Sequence, residues 1–131
     1  MREAFRDVPV IIGGIEASLR RFAHYDYWSD TVRRSLLVDS KADVLIYGMG
    51  EKQILELAKA LDENRLIEQL PTIKGICYMS KTLPEGKIKE CPSYEIVKED
   101  KKQFAEAFAF NIMNKIRLSA KPWLSFTGTV M

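Results

Sequence analysis

The stretch Ser18-Leu19-Arg20-Arg21-Phe22-Ala23-His24-Tyr25-Asp26-Tyr27-Trp28-Ser29-Asp30-Thr31-Val32-Arg33-Arg34 holds the densest recognition chemistry in the chain. Two arginine pairs bracket four aromatic rings, one histidine and two aspartates. Guanidinium forks grip carboxylates or phosphates bidentately, and aromatic faces stack on bases or on guanidinium groups. One reading is a surface for a nucleotide or RNA. A second is an internal network of arginines with Asp26 and Asp30 beneath packed aromatics. A third is a docking face, since Trp, Tyr and Arg anchor protein interfaces. Docking and network are favoured over nucleic acid. His24, Asp26 and Asp30, with Glu16 nearby, have a spacing that matches no metal motif with known mechanics, so no metal is expected. Imidazole titrates near neutral pH, which makes His24 the natural general base. No nucleophile or orienting partner accompanies it, so no catalytic residue is expected in this chain.

Two loops carry glycines where strands should end, Gly13-Gly14-Ile15-Glu16 and Gly48-Met49-Gly50-Glu51. In parallel α/β sheets ligands bind beyond the carboxyl ends of the strands, so both loops lie on the side where a site would form. Gly48-x-Gly50 lacks the third glycine of a dinucleotide fingerprint, because Gln53 stands in its place. Glu51, at a helix start, would itself satisfy free N–H groups and repel a phosphate. Tight strand-to-helix turns account for both loops.

The surrounding elements alternate. Val8 to Ile12 and Asp43 to Tyr47 are short continuous apolar runs, suited to strands covered on both faces. Glu16 to Phe22 suits a short helix, and Ser29 or Asp30 is expected to cap a second one reaching about Val38. From Lys52 to Leu61, the spacing of Ile54, Leu57, Ala58 and Leu61 predicts an amphipathic helix on a sheet. A short apolar piece, Leu66, Ile67 and Leu70, stops at Pro71, and Ile73 to Met79 gives a third strand. Pro84-Glu85-Gly86 before Lys87 to Cys91 suggests a hairpin. Lys98 to Arg117 is the longest helical segment, with Phe104 and Phe108 on one apolar line and Ala105, Ala109 and Ile112 on another. The expected fold is α/β: a partial Rossmann-like, three-layer domain with a partly parallel sheet and an antiparallel hairpin edge. Residues 1–117 form this domain, and residues 118–131 are expected to be a divergent tail.

Composition bounds the rest. The 131 residues are 47% hydrophobic and 29% charged, values of a folded globular domain. A net charge of +2 does not by itself call for a nucleic-acid partner, and none is expected. No apolar run is long enough to span a bilayer and the N-terminus lacks a signal peptide's apolar middle, so a cytoplasmic protein without a membrane partner is expected. Cys77 and Cys91 cannot make a disulfide framework or a four-ligand metal site; Cys77 suits a core strand, and a reducing compartment disfavours pairing them.

Gly13-Gly14-Ile15-Glu16-Ala17-Ser18-Leu19-Arg20-Arg21, His24 to Asp30, Val32-Arg33-Arg34-Ser35 and Ala42 to Glu51 resemble the N-terminal region of YgiQ-type radical SAM proteins, as does Pro92-Ser93-Tyr94-Glu95. The resemblance covers roughly residues 1–110, and Asn111 to Met131 departs from it. More loosely, the strand-end glycines are similar to cobalamin-binding-like domains found ahead of radical SAM barrels, though no Asp-x-His-x-x-Gly motif supports cobalamin. For a full-length parent the resemblance implies a [4Fe–4S] cluster on a downstream CxxxCxxC motif and S-adenosylmethionine on its open iron. This chain has two cysteines with thirteen residues between them, so it cannot build that cluster, and no cofactor is expected in it. The resulting expectation is a truncated accessory domain, not catalytic alone, whose partner is the parent's radical SAM barrel. Arg20, Arg21, His24, Tyr25, Asp26, Tyr27, Trp28, Asp30, Arg33 and Arg34 would face that barrel or its substrate. Missing neighbours would expose apolar surface and favour a homodimer. The competing expectation is a free-standing module binding nucleotide or RNA through the same residues.

Overall fold

Three short apolar runs build the centre of the fold. The computed structural model describes residues 3–65, 73–80 and 91–116, with side chains through residue 112. In chain order the elements are β1 (Ile11–Ile12), α1 (Ile15–Leu19), β2 (His24–Asp26), β3 (Thr31–Arg33), α2 (Leu36–Asp39), β4 (Val44–Ile46), α3 (Glu51–Asp62), β5 (Ile76–Tyr78), α4 (Tyr94–Glu99) and α5 (Lys101–Ile116). The main sheet has the order β1-β4-β5. β1 runs parallel to β4, pairing Ile11 with Val44 and Ile12 with Leu45. β5 runs antiparallel to β4, pairing Leu45 with Cys77. The fold is therefore mixed α/β with a mixed sheet, consistent with a partial Rossmann-like domain.

Side-chain alternation along these strands divides the core in two. Val44, Ile46, Ile76 and Tyr78 face Leu57 and Ala60 of α3. Leu45 and Cys77 face Ala17 of α1 and Leu37 of α2 on the opposite side. A strand buried on both faces has no polar side to show, which is why these runs are continuously apolar rather than alternating. The start of the sheet is fixed by Asp43, whose Oδ2 accepts the Val10 amide at 2.7 Å.

The crossover from β1 to β4 contains an insertion. Ser29 and Asp30 do not cap a helix; Tyr25 pairs with Val32 in a separate two-stranded antiparallel hairpin. Thr31 and Val32 are β-branched and favour extended backbone. Asp30 closes the turn at φ 51°, a left-handed conformation that Asp tolerates better than most residues. The helix starts later, at α2, where Ser35 Oγ accepts the Leu37 amide at 3.2 Å. The long C-terminal helix is present as α5 but starts at Lys101 rather than Lys98, after the separate α4; Asp100 lies between them, and its Oδ1 accepts the Lys102 amide at 2.8 Å. The expected piece at Leu66 to Leu70 and most of the hairpin to Cys91 lie outside the described residues.

Leu57 is fully buried against both β4 and β5 partners. Leu57→Ala should lower unfolding stability by about 2–5 kcal/mol, read as a reduced urea midpoint with little change in slope.

Candidate functional site

The Arg–aromatic segment begins where α1 ends and leaves the sheet as the β2–β3 hairpin. Its first arginine, Arg20, returns to Glu16 one helical turn back, with Nε 2.8 Å from the carboxylate. Arg21 points inward and is only 6% exposed. Its guanidinium donates to the Ser18 carbonyl and to both the side-chain and backbone oxygens of Asn111 on α5. The Phe22 ring lies 5.0 Å away and the Tyr47 ring 4.9 Å away. No carboxylate among the described residues pairs with it, and burial lowers its pKa. Neutral acceptors and two aromatic faces therefore carry a cation that would otherwise be costly to bury.

The hairpin is held by polar contacts of its own. Ser29 Oγ donates to Asp26 Oδ2 at 2.6 Å and lies 2.8 Å from Thr31 Oγ1. That bond to Ser29, with Arg33 nearby, holds the Asp26 carboxyl below its ordinary pKa. Tyr25 donates to Asp30 at 2.5 Å, and the His24 Nδ1–H faces the Phe22 carbonyl at 3.3 Å. At the base, Ser35 Oγ donates to the Arg21 carbonyl at 2.8 Å, and the Leu36 amide donates to the Arg20 carbonyl at 2.8 Å. Arg33 reaches Asp39 at 3.4 Å. Arg34 lies over the Tyr94 ring, whose hydroxyl donates to the Val32 carbonyl at 3.1 Å. At the tip, Tyr27 and Trp28 are 66% and 80% exposed, with ring centroids 4.6 Å apart.

The two glycine loops meet through Ser18. Its Oγ donates to the Gly14 carbonyl at 2.8 Å and accepts the Gly48 amide at 3.0 Å. A Cβ on Gly50 would lie 2.8 Å from Ile46 Cγ2, so that glycine serves the close approach of the loop to β4. Glu16 is tied to Arg20, while Glu51 occupies the first turn of α3. Gly13 backs onto Ile46. Among the described residues no three His, Cys, Asp or Glu side chains converge as a metal site.

Ser18, Ser29, Ser35, Tyr94 and Asn111 hold this arrangement, and residue spacing assigns none of them these partners. Asn111 left a trace, as an amide interrupting the apolar line of α5. The inner face of that helix passes through Phe104 and Asn111, whereas Ala105, Ala109 and Ile112 lie outside.

The radical SAM N-terminal family model matches residues 1–128. The chain belongs to that family. It is 50% identical over 107 residues to a UPF0313 protein of Thermotoga petrophila, covering 82% of this chain and 19% of the relative. A UPF0313 protein of Geobacter sulfurreducens is 52% identical over 110 residues, with 82% and 18% covered. One of Clostridium botulinum is 52% identical over 109 residues, with 82% and 17% covered. The chain thus spans about a fifth of the length of the curated relatives it matches. No solved structure matches it. No helix among the described residues is long and apolar enough to cross a membrane.

The residues present do not fit the iron–sulfur cluster that the family context implies. A cluster needs several thiolates. Burial pushes the Cys77 thiol up to about 12, against an ordinary 9.0, and Arg21 offsets only part of this. Cys91 is half-buried and its thiol is also raised by burial. The folded state therefore disfavours the Cys77 thiolate. That contribution to stability is complete below about pH 9 and is lost as pH rises from there towards about 12. Two outcomes are expected. In thiol labelling near pH 8, where an ordinary thiol reacts readily, Cys91 should modify first and Cys77 only on unfolding. Arg21→Met should destabilise the fold by about 1–3 kcal/mol in chemical unfolding by leaving buried acceptors without a donor, and Arg21→Lys should not restore it fully.

Proposed function

We propose that this chain is the N-terminal accessory domain of a YgiQ-type radical SAM protein and works by docking rather than by carrying chemistry. The observation that carries the reading is the family match over residues 1–128 in a chain that spans 19% of its Thermotoga relative. The cluster and S-adenosylmethionine would belong to the remaining part of the full-length protein, where cysteine thiolates would hold the cluster and one-electron reduction from an external donor would supply radical chemistry. The radical SAM barrel is the domain's partner, and the cytoplasm is its compartment. The exposed residues between Arg20 and Arg34 form the side turned towards that partner, and the buried Arg21 and Asp26 support it from within.

The arginine geometry supports docking over RNA binding. Phosphate contacts need basic groups free to neutralise the backbone. Arg20 and Arg33 are engaged by carboxylates, Arg34 lies over Tyr94, and Arg21 is buried.

Anaerobic reconstitution with iron, sulfide and reductant separates the possibilities. A full-length relative should acquire the absorbance and paramagnetic signal of a cluster and cleave S-adenosylmethionine; this chain, treated identically, should do neither. A cluster that cleaves S-adenosylmethionine on this chain alone would overturn the reading. Salt-sensitive binding of short RNA by the chain would move the module reading ahead.

A further inference from the structure

We infer that the docking element is narrower than the Arg–aromatic segment: the Tyr27–Trp28 tip of the β2–β3 hairpin is an anchor for an apolar pocket on the remainder of the full-length polypeptide. This rests on the accessory-domain reading above and adds which residues engage and what they engage.

The charges come first. From Glu16 to Asp39 the chain carries Arg20, Arg21, Arg33 and Arg34 against Glu16, Asp26, Asp30 and Asp39, so the segment has no net charge. Every one of these groups has an internal engagement. Arg20 meets Glu16 and Arg33 meets Asp39. Arg21 is buried and Arg34 lies over Tyr94. Asp26 accepts from Ser29 and Asp30 from Tyr25. A charged partner would compete with the Glu16 and Asp39 carboxylates for Arg20 and Arg33, whereas an apolar one would leave both ion pairs in place.

The tip itself is different. Tyr27 and Trp28 stand 66% and 80% exposed, adjacent and tilted at 33° to each other. Aromatic side chains dominate interface energetics when they fill a pocket and lose little conformational freedom in doing so. The backbone beneath them is already ordered by Ser29, Asp26 and Thr31 at the neck and by Ser35 at the base. That ordering lowers the entropic cost of binding, as preorganisation does generally. The occupant follows from length. The relatives place about four fifths of their chain outside the matched region, which makes an intramolecular partner available at high effective concentration.

Hydroxyl-radical footprinting with mass-spectrometric readout tests this on the full-length Thermotoga relative and on this chain. Modification at Tyr27 and Trp28, or at the matching positions of the relative, should be several-fold slower in the full-length protein than in this chain. Alanine at both positions of the relative should speed proteolytic separation of the matched region, whereas Arg20→Ala with Arg33→Ala should not. Equal modification rates in the two proteins would overturn the anchor and leave the accessory-domain reading standing, since that reading is tested by where the cluster forms. Concentration-dependent protection in this chain alone would assign the tip to a second copy, and protection only by added RNA would assign it to nucleic acid; either result also overturns the inference.

Discussion

A single buried guanidinium sets the terms for much of this fold. Arg21 has five donors and a full charge, and the interior offers it no carboxylate among the described residues. The solution draws on parts of the chain that are far apart. Ser18 lies three residues back, Tyr47 follows β4, and Asn111 is ninety residues away on α5. A buried donor must be met in direction as well as in distance. Asn111 must therefore face inward, and the helix carrying it has one rotational setting. That setting, rather than hydrophobicity alone, turns Phe108 and Ile112 outward.

The central layers were legible because their physics is local. Asp43 to Tyr47 reads as a strand from apolar continuity, and Ile73 to Met79 from the apolar run after Gly75, where β5 occupies Ile76–Tyr78; both strands are buried triplets. The amphipathic spacing that marks α3 places Leu57 at its most buried point. What sequence could not fix was direction. A third strand after a helix suits a parallel crossover as well as an antiparallel return, and β5 takes the second.

The hairpin and the start of α5 depart from the sequence pattern for a common reason. Ser, Asp and Asn can cap a helix, close a turn or bond to a neighbour's side chain, and sequence alone does not rank the three. Either Ser29 or Asp30 suits a helix cap, yet Ser29 bonds to Asp26 and Asp30 occupies the turn. The apolar spacing that marks α5 does not show that Asp100 caps it and separates it from α4. The glycine loops were read correctly as tight connections, but the hydroxyl of Ser18 that joins them has no signature in residue spacing.

The hairpin is tied to the fold at its neck and base and left open at its tip. Its shape comes from short polar contacts within residues 24–35 and from clamps at its base, and neither Tyr27 nor Trp28 takes part in either core cluster. Side chains at the tip can thus be exchanged without disturbing those contacts, while Asp26, Ser29 and Ser35 are held by them. Exchanging those two side chains would change what the tip presents without rebuilding the sheet that carries it.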